Sequence, residues 1–160
     1  MKACRRRSLW LLYSNGPIAT MKRICVIDGQ GGGIGATLIK YLKDSYGESV
    51  ELICLGTNAI ATAQMLKAGA NRGASGENAI VHTVATADLI VGPISVSWAN
   101  AMLGEVTPKM AEAIMSCQAP KILLPFTQEP VELVGLVSEP LPHMVQQVVN
   151  DKIKEVLGDV

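Results

Sequence analysis

Short, unbroken apolar runs alternate with stretches in which apolar residues recur every three or four positions. Ile24-Cys25-Val26-Ile27, Leu52-Ile53-Cys54-Leu55, Leu89-Ile90-Val91 and Ile122-Leu123-Leu124 are the runs. Each is four residues or so and bounded by glycine, proline or a polar residue, the pattern of strands buried on both faces. Between the first two, Ile34, Leu38, Leu42 and Tyr46 form one helical row that Gly47 ends. Thr57 or Asn58 can cap a second helix carrying Ile60, Ala63 and Leu66, which stops at Gly69. Residues 71–78 read as a polar loop with room for a very short strand, and residues 77–87 as helix.

Further on, Ser95 to Leu103 reads as a short helix with Trp98 and Met102 on one face. Thr107-Pro108 is a cap followed by proline, opening a helix with Met110, Ala111, Ile114 and Met115 inward. Leu133 to Val137 reads as a last strand, free to run antiparallel at the edge. Pro142 to Leu157 reads as a closing helix with Val145, Val148, Val149, Ile153 and Val156 inward. Strands alternating with helices of this length predict an α/β fold, a three-layer, Rossmann-like, doubly wound and mostly parallel sheet. In such sheets ligands lie beyond the carboxyl ends of the strands. Those ends are Asp28-Gly29, Gly56-Thr57-Asn58, Gly92-Pro93-Ile94-Ser95 and Phe126-Thr127-Gln128.

The first strand end carries the sharpest chemistry. Gly29-Gln30-Gly31-Gly32-Gly33-Ile34-Gly35 joins a buried strand to a helix. Glycine allows left-handed backbone and close approach of a ligand, and the free amides of a helix start attract negative charge. Together they predict a phosphate cradle. Its spacing matches no single motif. Gly29 and Gly31 would need glycine at 34 for GxGxxG. Gly29, Gly33 and Gly35 match the GxxxGIG of short-chain dehydrogenases, but no Tyr-x-x-x-Lys pair accompanies them. Ala36 stands where a P-loop would have lysine, which speaks against hydrolysis by that mechanism. Thr57 and Asn58 occupy the place where a dinucleotide site has its ribose-binding acid, so a nucleotide or NAD(P) remains the cofactor class without a specific assignment. A tight turn that merely packs a helix on a sheet is the competing explanation of the glycines.

Around the cradle, the candidate binding set is Asp28, Gly29, Gln30, Gly31, Gly32, Gly33, Ile34, Gly35, Thr57, Asn58, Arg72, Ser75, Gly92, Pro93 and Ser95. Arg72 is the arginine placed to serve a 2′-phosphate. Asp28, Glu77 and Ser95 are the groups able to transfer a proton or attack. Glu105 either meets a ligand or favours the following helix's positive end. His82 and His143 have no partner at dyad or ligand spacing and read as structural.

Composition changes this picture little. The 160 residues suit one domain, with residues 21–160 as that domain and residues 1–20 as a disordered extension or a mis-called upstream start. Fourteen basic and fourteen acidic side chains cancel, so no net field favours nucleic acid or an acidic membrane. An apolar fraction of 49% points to a buried sheet or a homo-oligomer interface. Cys4, Cys25, Cys54 and Cys117 show no zinc spacing and read as reduced thiols of a cytoplasmic protein, with no metal expected.

From Met21 onward the sequence resembles a bacterial family catalogued as domain of unknown function 3842. The resemblance is carried by Asp28-Gly-Gln-Gly-Gly-Gly-Ile-Gly35, Gly76-Glu77-Asn78-Ala79-Ile80, Ala87-Asp88-Leu-Ile-Val-Gly-Pro93-Ile94 and Leu103-Gly-Glu-Val-Thr-Pro108. It implies a small bacterial cytoplasmic protein with a Rossmann-like fold, and no reaction. The expected function is therefore binding of a phosphate-bearing small molecule or nucleotide. A small oxidoreductase or transferase using a nucleotide cofactor, and a non-catalytic homodimeric regulatory protein, are the alternatives.

Overall fold

The computed structural model describes residues 20–158; the expectation for residues 1–20 lies almost wholly outside them. Five strands form one sheet: β1 (Lys22–Asp28), β2 (Val50–Gly56), β3 (Arg72–Ser75), β4 (Leu89–Pro93) and β5 (Lys121–Leu124). They lie in the order β3-β2-β1-β4-β5 and every neighbouring pair is parallel. The sheet is thus doubly wound as expected, and its order reverses between β1 and β4.

Alternation along each strand divides the core in two. Ile24 and Val26 of β1 face α1 (Gly33–Tyr46), α2 (Ala59–Lys67) and the closing helices, packing on Leu38, Ile39, Leu42, Met65 and Val145. Cys25 and Ile27 face the other side, where α3 (Glu77–Val84) supplies Ile80 and Val84 and α4 (Pro108–Ser116) supplies Met110 and Ile114. Period-two alternation sends successive side chains to opposite helical layers, which is why unbroken apolar runs mark these strands.

The capping chemistry follows the sequence. Asn58 caps α2 by accepting from the Ala61 N–H, and Thr107 caps α4 by accepting from the Met110 N–H with Pro108 in the first turn. Gly47 closes α1 with φ of 54°.

Five readings change. Leu133 to Val137 is no strand: β5 pairs only with β4, and Gly135 at φ 86° breaks the extended run. Val131, Val134, Leu136 and Val137 are exposed there. Ser95 to Leu103 is a 3₁₀ turn, Ile94–Ser97, followed by tight turns with Asn100, Met102 and Leu103 all in the left-handed region. The row that α2 buries is Ala61, Thr62 and Met65, whereas Ile60, Ala63 and Leu66 are exposed. Met115 of α4 likewise points outward.

The closing helix begins one residue early, as α5 (Leu141–Gln147). It passes through a π turn, Val148–Lys152, into α6 (Ile153–Leu157). A π turn inserts an extra residue and shifts the phase. The row after it is Ile153 and Leu157, and Val156 faces solvent. Tyr46 holds this run to α1, its hydroxyl donating to the Val149 carbonyl at 2.7 Å. Among the described residues no helix is long and apolar enough to cross a membrane.

Candidate functional site

At the reversal point the carboxyl ends of β1 and β4 part, and a cavity of about 350 Å³ opens between them. Residues 28–34 of the glycine loop form one wall, and Pro93 and Ser95 of the β4 end another. Met102 and residues 126–129 after β5 complete it. A strand order that reverses leaves such a crevice without further design.

The five glycines of the loop divide into two groups. A Cβ on Gly29 would fall on Thr57 and Met102 and touch Glu105. Gly32 has φ of 70°, and its Cβ would lie 2.7 Å from the Ala61 Cα. One on Gly35 would meet Met65 Sδ and Asp28 Cβ. All three are buried, so packing alone requires them. Gly31 and Gly33 differ. Both are exposed, both line the cavity, neither has left-handed φ, and a Cβ on either would meet nothing within 4 Å. No internal contact explains those two.

The loop's N–H groups divide in the same way. The Asp28 carboxylate accepts from Gly29 at 2.8 Å and from Gly35 at 2.7 Å. It thus caps α1, whose own capping residue, Gly32, has no side chain. Burial to 4% exposure pushes the Asp28 pKa up, opposed by the amides of Gly35, Gly29 and Ile34 and reinforced by the charge of Glu105. Glu105 Oε2 accepts from the Gln30 N–H at 2.8 Å, and Gly32 N–H donates to the Gly29 carbonyl. Gly31 and Gly33 N–H have no acceptor among the described residues. The protein's own carboxylates therefore fill part of the cradle, and the part left open is where the glycines lack an internal reason.

Thr57 and Asn58 turn away from the cavity. The Thr57 hydroxyl donates to Glu105 Oε2 at 2.6 Å, and Asn58 Nδ2 donates to the same oxygen at 2.8 Å and to the Gln30 carbonyl at 3.0 Å. Gln30 is held in the left-handed region, φ 48°, with both its backbone groups clamped. Burial raises the Glu105 pKa, but the donors Thr57, Gln30 and Asn58 outweigh it and hold the carboxyl below its usual range.

Arg72 does not line the cavity: its guanidinium binds Glu51, which Arg23 also binds at 2.8 Å. Ser75 is exposed at the end of β3 and does not line the cavity. Glu77 accepts from the Thr107 hydroxyl at 2.6 Å and does not line it either. Gly92 is buried against the Ile27 carbonyl and serves strand packing. Asp28, Gln30, Ile34, Pro93 and Ser95 do line the cavity with Gly29 and Gly31 to Gly33. Ser95 is 3% exposed, and its hydroxyl bonds to no described residue.

Sequence reasoning left out of its site set the cavity wall of Met102, Phe126, Thr127, Gln128 and Glu129. The strand-end rule names 126–128, so that signal was present. Met102 and Glu129 had none, since they meet only through a long-range contact, the Met102 N–H donating to Glu129 Oε1 at 2.8 Å. No lysine or arginine lines the cavity, and the described residues contain no His/Cys/Asp/Glu cluster able to hold a metal. His82 and His143 are exposed and do not line it. Burial pushes the thiols of Cys25 and Cys54 up to about 12 and about 11, so both are inert hydrophobes.

A family model described as domain of unknown function (DUF3842) matches residues 23–157. No curated protein matches the chain. A solved structure described as universal stress protein in complex with cAMP is similar at a TM-score of 0.36 and 19% identity, over 62% of this chain and 94% of that one.

Proposed function

We propose that this chain, which belongs to the DUF3842 family, binds a phosphate-bearing small molecule, of the size of a nucleotide, in the crevice between β1 and β4. The observation that carries the reading is the pair Gly31 and Gly33: exposed, without left-handed backbone, free of any contact a Cβ would disturb, and with unpaired N–H groups. Helix interiors and turns without special φ disfavour glycine on entropic grounds. Close approach of a ligand to the backbone is the remaining physical reason for it.

The rest of the wall favours a nucleotide or sugar phosphate over inorganic phosphate. Among the described residues that line the cavity, positive potential comes from the amino end of α1, whereas Asp28 and Glu129 contribute carboxylates. Carboxylates repel a bare dianion but accept from sugar hydroxyls. Ser95 and Gln128 add neutral polar groups, and Met102, Pro93 and Phe126 offer apolar surface to a base. Few polar groups set in an apolar wall is the usual composition of a small-molecule site. As an enzyme, the protein would have Asp28 and Ser95 at the crevice, with Glu77 excluded by its distance from it. As a regulatory homodimer, it would use the apolar side chains exposed at 131–137; light scattering at micromolar concentration tests that, and a monomer speaks against it.

Thermal-shift and calorimetric titrations with nucleoside monophosphates, dinucleotides and sugar phosphates test the central reading. At a hundredfold excess over Kd a ligand adds about 2.7 kcal/mol to stability. At least one should do so, and Gly33→Val should abolish the effect while keeping the native circular dichroism. No stabilisation by any of them overturns the reading.

A further inference from the structure

We infer that Glu105 is a specificity-determining residue that closes the β2 half of the crevice and limits the ligand to a single nucleotide. The inference rests on the reading of the crevice as a nucleotide site. A dinucleotide spans the reversal point: its pyrophosphate crosses the glycine loop and one ribose meets the carboxyl end of β2. In this protein the cavity extends only from β1 toward β4 and β5, and Thr57 and Asn58 at the β2 end take no part in its wall.

What stands in the second half is the loop following β4. Its left-handed turns at Asn100, Met102, Leu103 and Gly104 fold it back on itself, with Asn100 N–H bonded to the Val106 carbonyl and Val106 N–H to that of Ala101. Glu105 then reaches across the glycine loop. A single oxygen, Oε2, takes the hydroxyl of Thr57, the amide of Asn58 and the N–H of Gln30. Those are the donors that would otherwise meet a second phosphate or ribose. The carboxylate is an internal anion in the seat of an external one, and its charge repels a second phosphate approaching from that side. Gly29 fits the same account: its missing side chain leaves room for Thr57, Met102 and Glu105, not for a ligand.

A carboxylate beside the β2 end is also what a dinucleotide site uses to bind ribose, and the two roles make opposite predictions. Calorimetry with AMP, GMP, CMP and UMP against NAD⁺ and NADP⁺, on the full chain, separates them. The wild type should bind its best monophosphate at least tenfold more tightly than either dinucleotide. Glu105→Ala should narrow that ratio about tenfold by improving the dinucleotide. Glu105→Gln, which removes the charge and keeps the length, gives the same direction if the alanine variant fails to fold. A wild type that binds NAD⁺ or NADP⁺ as tightly as any monophosphate, or a ratio that Glu105→Ala or Glu105→Gln leaves unchanged or widens, overturns this inference and leaves the nucleotide site standing. Binding of none of the six overturns this inference too, while the broader reading of a phosphate-bearing ligand then falls only if the sugar phosphates fail as well.

Discussion

Gly31 and Gly32 are adjacent in sequence and opposite in physical role. Alanine at Gly31 or Gly33 meets no atom and no forbidden φ, and replacing glycine at a compatible position stabilises by about 0.4–1 kcal/mol through the unfolded state. Alanine at Gly32 must adopt φ of 70° against the Ala61 backbone, which costs at least about 1–2 kcal/mol from the left-handed conformation alone. Urea unfolding of Gly31→Ala, Gly33→Ala and Gly32→Ala should therefore give small gains for the first two and a clear loss for the third. Gly33→Ala should weaken ligand binding in spite of its stability. The sequence displays the glycine cluster but not this division, since which glycines touch neighbours depends on α2 and on the loop after β4, both distant in the chain.

Elements were legible where their own residues decide them. The caps at Asn58 and Thr107 and the glycine stop at 47 work locally, and all three stand as read. Failures came where a distant contact or a phase shift decides: the π turn that turns Val156 outward, the left-handed turns after Ser97, and the face that α2 lays on the sheet. Asn58 shows how much one capping residue can hold. Besides Ala61 N–H, it binds the Gln30 carbonyl and Glu105. A cap lost to alanine costs about 1 kcal/mol; with the added bonds Asn58→Ala should cost about 2 kcal/mol in denaturant unfolding.

The loop after β4 should also be the acid-sensitive element. Glu105 titrates below its usual range in the folded protein, so its contribution is present above the unfolded pKa of about 4.3 and is lost as pH falls through the lowered folded value. Asp28 acts oppositely, its raised pKa making its contribution largest at low pH and lost as pH rises through the folded value. Melting temperature measured from pH 6 down to pH 3 should fall less steeply in Glu105→Gln than in the wild type, since the amide has no charge to lose. Equal slopes would show that Glu105 does not tie the loop down.

At the scale of the whole molecule, the doubly wound parallel sheet was legible because parallel strands buried on both faces must be covered by helices in sequence. The edge beyond β5 was not. Residues 131–137 have strand-like composition, yet Gly135 and the exposure of Val134 and Val137 leave them without a partner strand. Exposed backbone outside any ladder is where proteases act first. Limited proteolysis should nick between residues 129 and 140 before it cuts any helix or strand, and fragment masses will locate the cut.

The separation of Gly31 and Gly33 from Gly29, Gly32 and Gly35 also bears on how such a chain can drift over generations. If the crevice holds a ligand as proposed, a descendant that no longer needs it is free to acquire side chains at 31 and 33 while folding as before, whereas the other three positions stay fixed for as long as the domain exists. Side chains at those two places alone would mark the lineages that kept the architecture and abandoned the cargo.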